Sequence, residues 1–201
     1  MCSWCWGFRP VWNQVQQVLA DKVSIQYVLG GLARDTQQPM PESMRLVIRE
    51  TWQRIQQEIP GIEFNYDFWS DCQPRRSTYP SCRAVIAAGF QGDDYGKAML
   101  YAIQKAYYLQ ARNPSNNDVL IQLSAEIGLN ANRFETDLFS KTCENVFKND
   151  LQLTSDLGVS AFPSLVLSNK DSNALIHIDY TSSETIVSSV LDGMKVSAEM
   201  K

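Results

Sequence analysis

The period at which apolar residues recur changes four times along the chain, and this limits the fold more than any other feature of the sequence. Near the amino end Val11, Val15, Val18 and Leu19 form a helical stripe that Asp21-Lys22 closes. Val23, Ile25, Tyr27 and Leu29 then share one parity, as a strand does, until Gly30-Gly31. From Glu42 to Leu157 only the helical period persists. After Gly158 the pattern shortens again. Ser164 to Leu167 reads as a strand, Ser168 to Asn173 as a turn, and Ala174 to Tyr180 as an alternating strand. Thr181-Ser182-Ser183-Glu184 fits a capping box that opens a final helix through Ile186, Val187, Val190 and Leu191. A helix-strand start, an all-helical middle and a strand-strand-helix end predict an α/β fold carrying a large helical insertion.

The boundaries follow from the breaks. Residues 1–35 and 158–201 form one discontinuous domain, and residues 36–157 form the insertion. Within it, Met44, Val47, Ile48, Trp52, Ile55 and Ile59 keep a helical period until Pro60-Gly61 ends it. Ile62 to Tyr79 is aromatic and irregular, and reads as a loop. Further helices are predicted over 81–88, 95–112, 117–128, 132–142 and 144–157, with Leu100, Ile103, Ala106 and Tyr107 on a buried face.

Composition excludes several function classes. With 201 residues, 44% apolar and 20% charged, the chain can bury a sizeable core and is not disordered. Eighteen basic against 22 acidic residues give a net charge of -4, so no nucleic-acid or anionic-membrane partner is expected. No apolar run reaches the roughly 20 residues of a membrane span, and a cytoplasmic address is the expectation.

Chemistry is narrowed by two residue types. The single histidine, His177, sits on a strand-like stretch and reads as a structural, partly solvated side chain, which disfavours triads and histidine-rich metal sites. Five cysteines (Cys2, Cys5, Cys72, Cys82 and Cys143) make an odd number and argue against a closed disulfide framework. Cys2-Ser3-Trp4-Cys5 is a C-x-x-C at the start of a helix, where unpaired N–H groups favour a thiolate. Cys2 at the outer end is the expected nucleophile and Cys5, one turn inside, the resolving thiol. The plain alternative is a pair of packed or half-site metal cysteines. Zinc on Cys2, Cys5, Cys72 and Cys82 is disfavoured by the long spacing of the last two, so no metal and no organic cofactor is expected. Cys82 and Cys143 fall on predicted helices and read as buried small hydrophobes, whereas Cys72 is the more exposed thiol.

C-x-x-C followed by helix and strand, and then by Gly158-Val159-Ser160-Ala161-Phe162-Pro163-Ser164 before a hairpin, resembles the thioredoxin fold. More narrowly the chain resembles the DsbA-like thiol-disulfide oxidoreductases, in which a helical domain interrupts the fold. Its opening and Tyr79-Pro80-Ser81-Cys82-Arg83-Ala84 are similar to the cytoplasmic, FrnE-related branch. The resemblance implies exchange of disulfides with protein or peptide thiols. Pro163 would be a cis-proline beside the cysteines, and the backbone of Phe162 would face an extended peptide, with Ser3 and Trp4 completing the substrate surface. Trp6 and Phe8 are further candidates for an apolar platform, and glutathione is a candidate co-substrate. Ser3 and Trp4 carry no charge, so a less acidic nucleophile than in DsbA is expected, with reductase or isomerase activity as open as oxidase.

One departure stands out. The family places a central strand immediately before the C-x-x-C, yet here Cys2 follows Met1 directly, so the usual first strand is lacking. A gap in the core is expected, and a longer natural product, a rearranged sheet or a strand from another chain would each account for it. Two other functions remain open: a glutathione-dependent transferase or isomerase of the kappa-class or hydroxychromene-carboxylate isomerase type, and a non-catalytic thioredoxin-fold binding module.

Overall fold

The computed structural model describes residues 1–170 and 172–199. In chain order these form α1 (Ser3–Leu19), α2 (Glu42–Glu58), α3 (Phe68–Asp71), α4 (Tyr79–Gly89), α5 (Asp93–Leu109), α6 (Asn117–Glu126), α7 (Ala131–Leu138) and α8 (Lys141–Asp156). The chain then forms β1 (Leu165–Ser168), β2 (Asn173–Ile176) and α9 (Ser183–Glu199). Helix starts are set by local chemistry. Asn130 and Ser140 accept hydrogen bonds from the backbone N–H groups of Arg133 and Cys143, capping α7 and α8.

Three apolar clusters hold the elements together. In the insertion, Ala84, Ala87 and Ala88 of α4 let α5 approach closely, and Met99, Ile103, Leu120, Leu123, Phe134 and Leu138 close around them. A second cluster is aromatic: Trp52 of α2 lies fully buried among Phe64, Phe68, Trp69, Tyr107 and Tyr108, with ring centroids 4.8 to 6.2 Å from its own. In the third, Phe8, Val11, Val15 and Leu19 of α1 meet Ile186 and Val190 of α9. Helix α1 therefore belongs to two clusters at once, since Trp6 points into the aromatic one. Its Gly7 allows α2 this close, because a Cβ there would stand 2.8 Å from Ile59 Cδ1.

Several expectations need correction. Val23 to Leu29 is not a strand. Among the described residues, the backbone of Ser24–Val28 makes no hydrogen bond, and the Leu29 N–H is taken by the Asp150 carboxylate at 3.0 Å. The alternation of the residues is sound, but a strand needs a neighbour to bond, and among the described residues none pairs with this segment. Among the described residues β1 pairs only with β2, antiparallel, from Leu165↔Ile176 to Ser168↔Asn173. The second strand is shorter than read, ending at Ile176, and Leu175 stays 64% exposed. The expected loop over 62–79 holds a short helix, α3, anchored by buried Phe68 and Trp69. At the last helix the cap is displaced by one residue. Ser182 Oγ accepts from the Thr185 N–H while Asp179 binds the Thr181 and Ser182 N–H groups, in place of a Thr181 box. A cavity of about 690 Å³ is bordered by Val23 to Leu32, β1, α1 and α9.

Candidate active site

The site is assembled at the amino end of α1 because that is where a helix leaves N–H groups without partners. Cys2 is the N-cap, with φ -95° and ψ 115°, and its Sγ accepts from the Cys5 N–H at 3.4 Å. The same thiol donates to the Phe162 carbonyl at 3.2 Å. The Phe162–Pro163 peptide bond is cis and lies in the connection between α8 and β1. Gly30 admits this loop, since a Cβ on it would lie 2.1 Å from Phe162 Cε1. Cys2, Cys5, Gly30, Phe162 and Pro163, far apart in sequence, thus border one cavity.

The two thiols are held at very different acidities. A hydrogen bond from the Cys5 thiol, the Cys5 N–H, the terminal ammonium and the Trp4 N–H together outweigh burial and bring Cys2 from its ordinary 9.0 down to about 7. Cys5 is pushed well above the ordinary range, because it donates to Cys2, is buried, and sits beside the developing negative charge. One sulfur is therefore poised as a thiolate near neutral pH while its neighbour keeps its proton. That is the asymmetry a nucleophile and a resolving thiol require.

The residues between and around the cysteines divide by direction. Ser3 is only 8% exposed and faces inward, where its Oγ accepts from Trp52 Nε1 at 3.0 Å. The hydroxyl read as part of the substrate surface thus ties α1 to α2. Trp4 is half-buried, its ring 5.0 Å from that of Tyr180 and capped by the Arg54 guanidinium at 4.9 Å. Trp6 and Phe8 are buried in the core, so the accessible apolar groups beside Cys2 are Trp4, Phe162, Pro163 and Tyr180. Burial raises the Tyr180 phenol to about 12, which keeps it neutral at physiological pH.

The remaining thiols differ from the pair. Cys143 is fully buried, donates to the Arg83 carbonyl, and is pushed up to about 11. Cys82, on α4, is also pushed up to about 11 by burial. Cys72 donates to the Ala111 carbonyl at 3.0 Å and lines a separate cavity with Arg75 and Arg112. His177 is exposed, and no helix among the described residues is long and apolar enough to cross a membrane. Sequence reasoning missed Trp52, Tyr180, Arg54 and Gly30 as neighbours of the site. Trp52 and Gly30 carried signals, but of a helical core position and a strand stop.

Comparison with known proteins places this geometry. Residues 1–188 match the family model described as Thioredoxin. The ClpXP adapter protein SpxH of Halalkalibacterium halodurans is 26% identical over 175 residues, covering 84% of this chain and 56% of that relative. The chain therefore spans about half the length of the curated relatives it matches. Among solved structures, a candidate protein disulfide isomerase from Nitrosomonas europaea has a TM-score of 0.83 at 23% identity, covering 98% of this chain and 94% of that one. The cytosolic disulfide reductase DsbM from Pseudomonas aeruginosa has a TM-score of 0.73 at 23% identity, covering 100% of this chain and 96% of that one. The helical insertion, the hairpin and the family match agree, and the protein belongs to the thioredoxin family with a DsbA-like fold.

Proposed function

We propose that the chain exchanges disulfides with protein or peptide thiols, with Cys2 as nucleophile and Cys5 as resolving thiol. The observation that carries this reading is the position of Cys2: the N-cap of α1, against the Phe162 carbonyl, with its thiol lowered to about 7. In the reducing direction the Cys2 thiolate attacks one sulfur of a substrate disulfide and expels the other as a thiolate. Cys5 then loses its proton and attacks Cys2 Sγ in the mixed disulfide. The second substrate thiol leaves, and Cys2 and Cys5 are left oxidised by two electrons. Two equivalents of an external thiol such as glutathione return them to the dithiol, the first forming a mixed disulfide that the second resolves, and leave as their own disulfide; the proposed scheme uses no metal or organic cofactor.

Direction follows from acidity. A nucleophile near 7 matches the thioredoxin range of about 7 rather than the roughly 3.5 of DsbA, which favours reductase or isomerase work. Trp4, Phe162 and Tyr180 offer an apolar surface to an extended peptide, and Phe162 and Pro163 position it beside Cys2. A cytoplasmic address, where such thiols stay reduced, fits this direction. A second reading is favoured by the adapter name of the relatives: the same face holds a protein partner without chemistry. Trapping separates the two. Cys5→Ser should accumulate mixed disulfides with peptide disulfides at Cys2, and Cys2→Ser should accumulate none. Full partner binding by the Cys2→Ser, Cys5→Ser double variant, with no mixed disulfide in Cys5→Ser, would establish the adapter reading instead. Release of a glutathione conjugate without disulfide cycling would point to the transferase alternative.

A further inference from the structure

Helix α2 sets a charged group against Trp4, the half-buried aromatic residue of the C-x-x-C. Gly7 lets α1 and α2 come close, and the bond from Trp52 Nε1 to Ser3 Oγ ties them together. Arg54, two residues beyond Trp52, is thereby carried over the ring of Trp4, its Cζ 4.9 Å from the ring centroid. Glu58, one turn further on, accepts from Arg54 Nε at 2.8 Å. The guanidinium is thus held at two places, on its face by an aromatic ring and on Nε by a carboxylate. An arginine has five N–H donors, and those on the two terminal nitrogens of Arg54 make no hydrogen bond among the described residues. The side chain is 65% exposed. A fixed fork with both ends free in solvent is a preorganised receptor for one anion shape, the planar carboxylate.

We propose that Arg54 is a specificity-determining residue of the disulfide exchange: it binds a carboxylate that the substrate carries within a few residues of the cysteine attacked by Cys2. The inference rests on the reading of Cys2 as nucleophile. Trp4 follows Cys2 by two positions and carries Arg54 on its ring, so an extended segment that leaves Cys2 across Trp4 meets the free fork. Such a segment advances about 3.3 Å per residue, which sets the few-residue limit. Tyr180, on the same ring at 5.0 Å, is a neutral phenol and brings no charge to rival that of Arg54. Glu58 offsets the charge of Arg54 at a distance. The preference therefore comes from contact with the fork, and not from steering across a protein whose net charge is -4.

The test uses the full chain with Cys5→Ser and a set of peptides, each carried as a 2-pyridyl disulfide on a single cysteine near its carboxyl end. The Cys2 thiolate attacks the peptide sulfur, the mixed disulfide forms, and the same pyridine-2-thiolate leaves in every case. Glutamate stands beside the cysteine, or at the amino end for equal net charge, or is replaced by glutamine. Each peptide is made with a free and with an amidated carboxyl terminus. Rates at Cys2 are divided by its rate of alkylation with iodoacetamide, which removes any change in its acidity. At low ionic strength the peptide with the near glutamate should react about 5-fold or more faster than its glutamine form, and the distant glutamate should give no such gain. Arg54→Gln should bring the ratio to about 1, and Arg54→Lys, which keeps the charge but not the fork, should lose most of it. A gain seen only with the free terminus, and equally lost in Arg54→Gln, supports the proposal with a chain end as the source of the carboxylate. Equal rates for all peptides, an equal gain from the distant glutamate, or a ratio untouched by Arg54→Gln or Arg54→Lys overturns the proposal and leaves the exchange itself in place. Absence of a mixed disulfide at Cys2 with every peptide overturns both.

Discussion

The acidity of Cys2 can be dissected by removing its largest source, the hydrogen bond from the Cys5 thiol. Lowering a thiol from 9.0 to about 7 corresponds to about 2.7 kcal/mol in favour of the thiolate, at about 1.4 kcal/mol per pH unit. Cys5→Ala deletes the thiol donor but leaves the Cys5 N–H, the terminal ammonium and the Trp4 N–H in place. Cys2 should then titrate at a higher pH and lose part of that preference, since the first and largest cause is gone. Thiolate absorbance near 240 nm and the rate of alkylation by iodoacetamide, followed against pH, both report the midpoint. The sign also fixes the stability profile of the reduced chain. Because the folded midpoint lies below the unfolded one, Cys2 contributes stability that is fully present above about pH 9. It is lost as pH falls toward 7 and through it. Cys5, shifted upward, opposes this only at pH values above its ordinary 9.0. A midpoint in Cys5→Ala that stayed near 7, or fell, would refute the assignment of the hydrogen bond as the dominant cause.

Further substitutions probe the supports of the site. Trp52→Phe keeps the ring in the aromatic cluster but removes the bond to Ser3, and should cost about 1 kcal/mol in denaturant unfolding, against about 3–5 kcal/mol for Trp52→Ala. Gly30→Ala sets a Cβ into the Phe162 ring, so exchange with a peptide disulfide should fall by about 10-fold or more while far-ultraviolet dichroism is kept. Cys72→Ser should leave the exchange rate within about twofold of the parent, since its sulfur faces Ala111 in another cavity; a large loss would bring that thiol into the cycle.

The helices were legible in the sequence where one face is apolar and a breaker follows. Met44 to Ile59 before Pro60-Gly61 became α2, and the helix read from the opening cysteines to Leu19 became α1. The C-x-x-C and Phe162-Pro163 were legible because both signals are local, and the structure brings them within one hydrogen bond. Val23 to Leu29 was misread for the opposite reason: parity describes the faces of a segment but says nothing about whether a neighbour is there to bond its edges. Ser3 was read outward because its spacing from Cys2 is known while the direction of its hydroxyl depends on Trp52, forty-nine residues away in sequence. Tyr180 and Arg54 escaped notice for the same reason, since the Trp4 contact joins three elements that no short window spans.

The central claim rests on a reversible Cys2–Cys5 disulfide, and a redox titration of the chain in glutathione buffers tests it most directly. Trp4, beside the pair, gives a fluorescence signal, and thiol mass-tagging assigns it, with Cys5→Ser as control. A single two-electron transition mapping to Cys2 and Cys5 is expected, with a midpoint closer to the roughly -270 mV of thioredoxin than to the roughly -120 mV of DsbA. A folded chain in which Cys2 and Cys5 show no such transition would contradict the account.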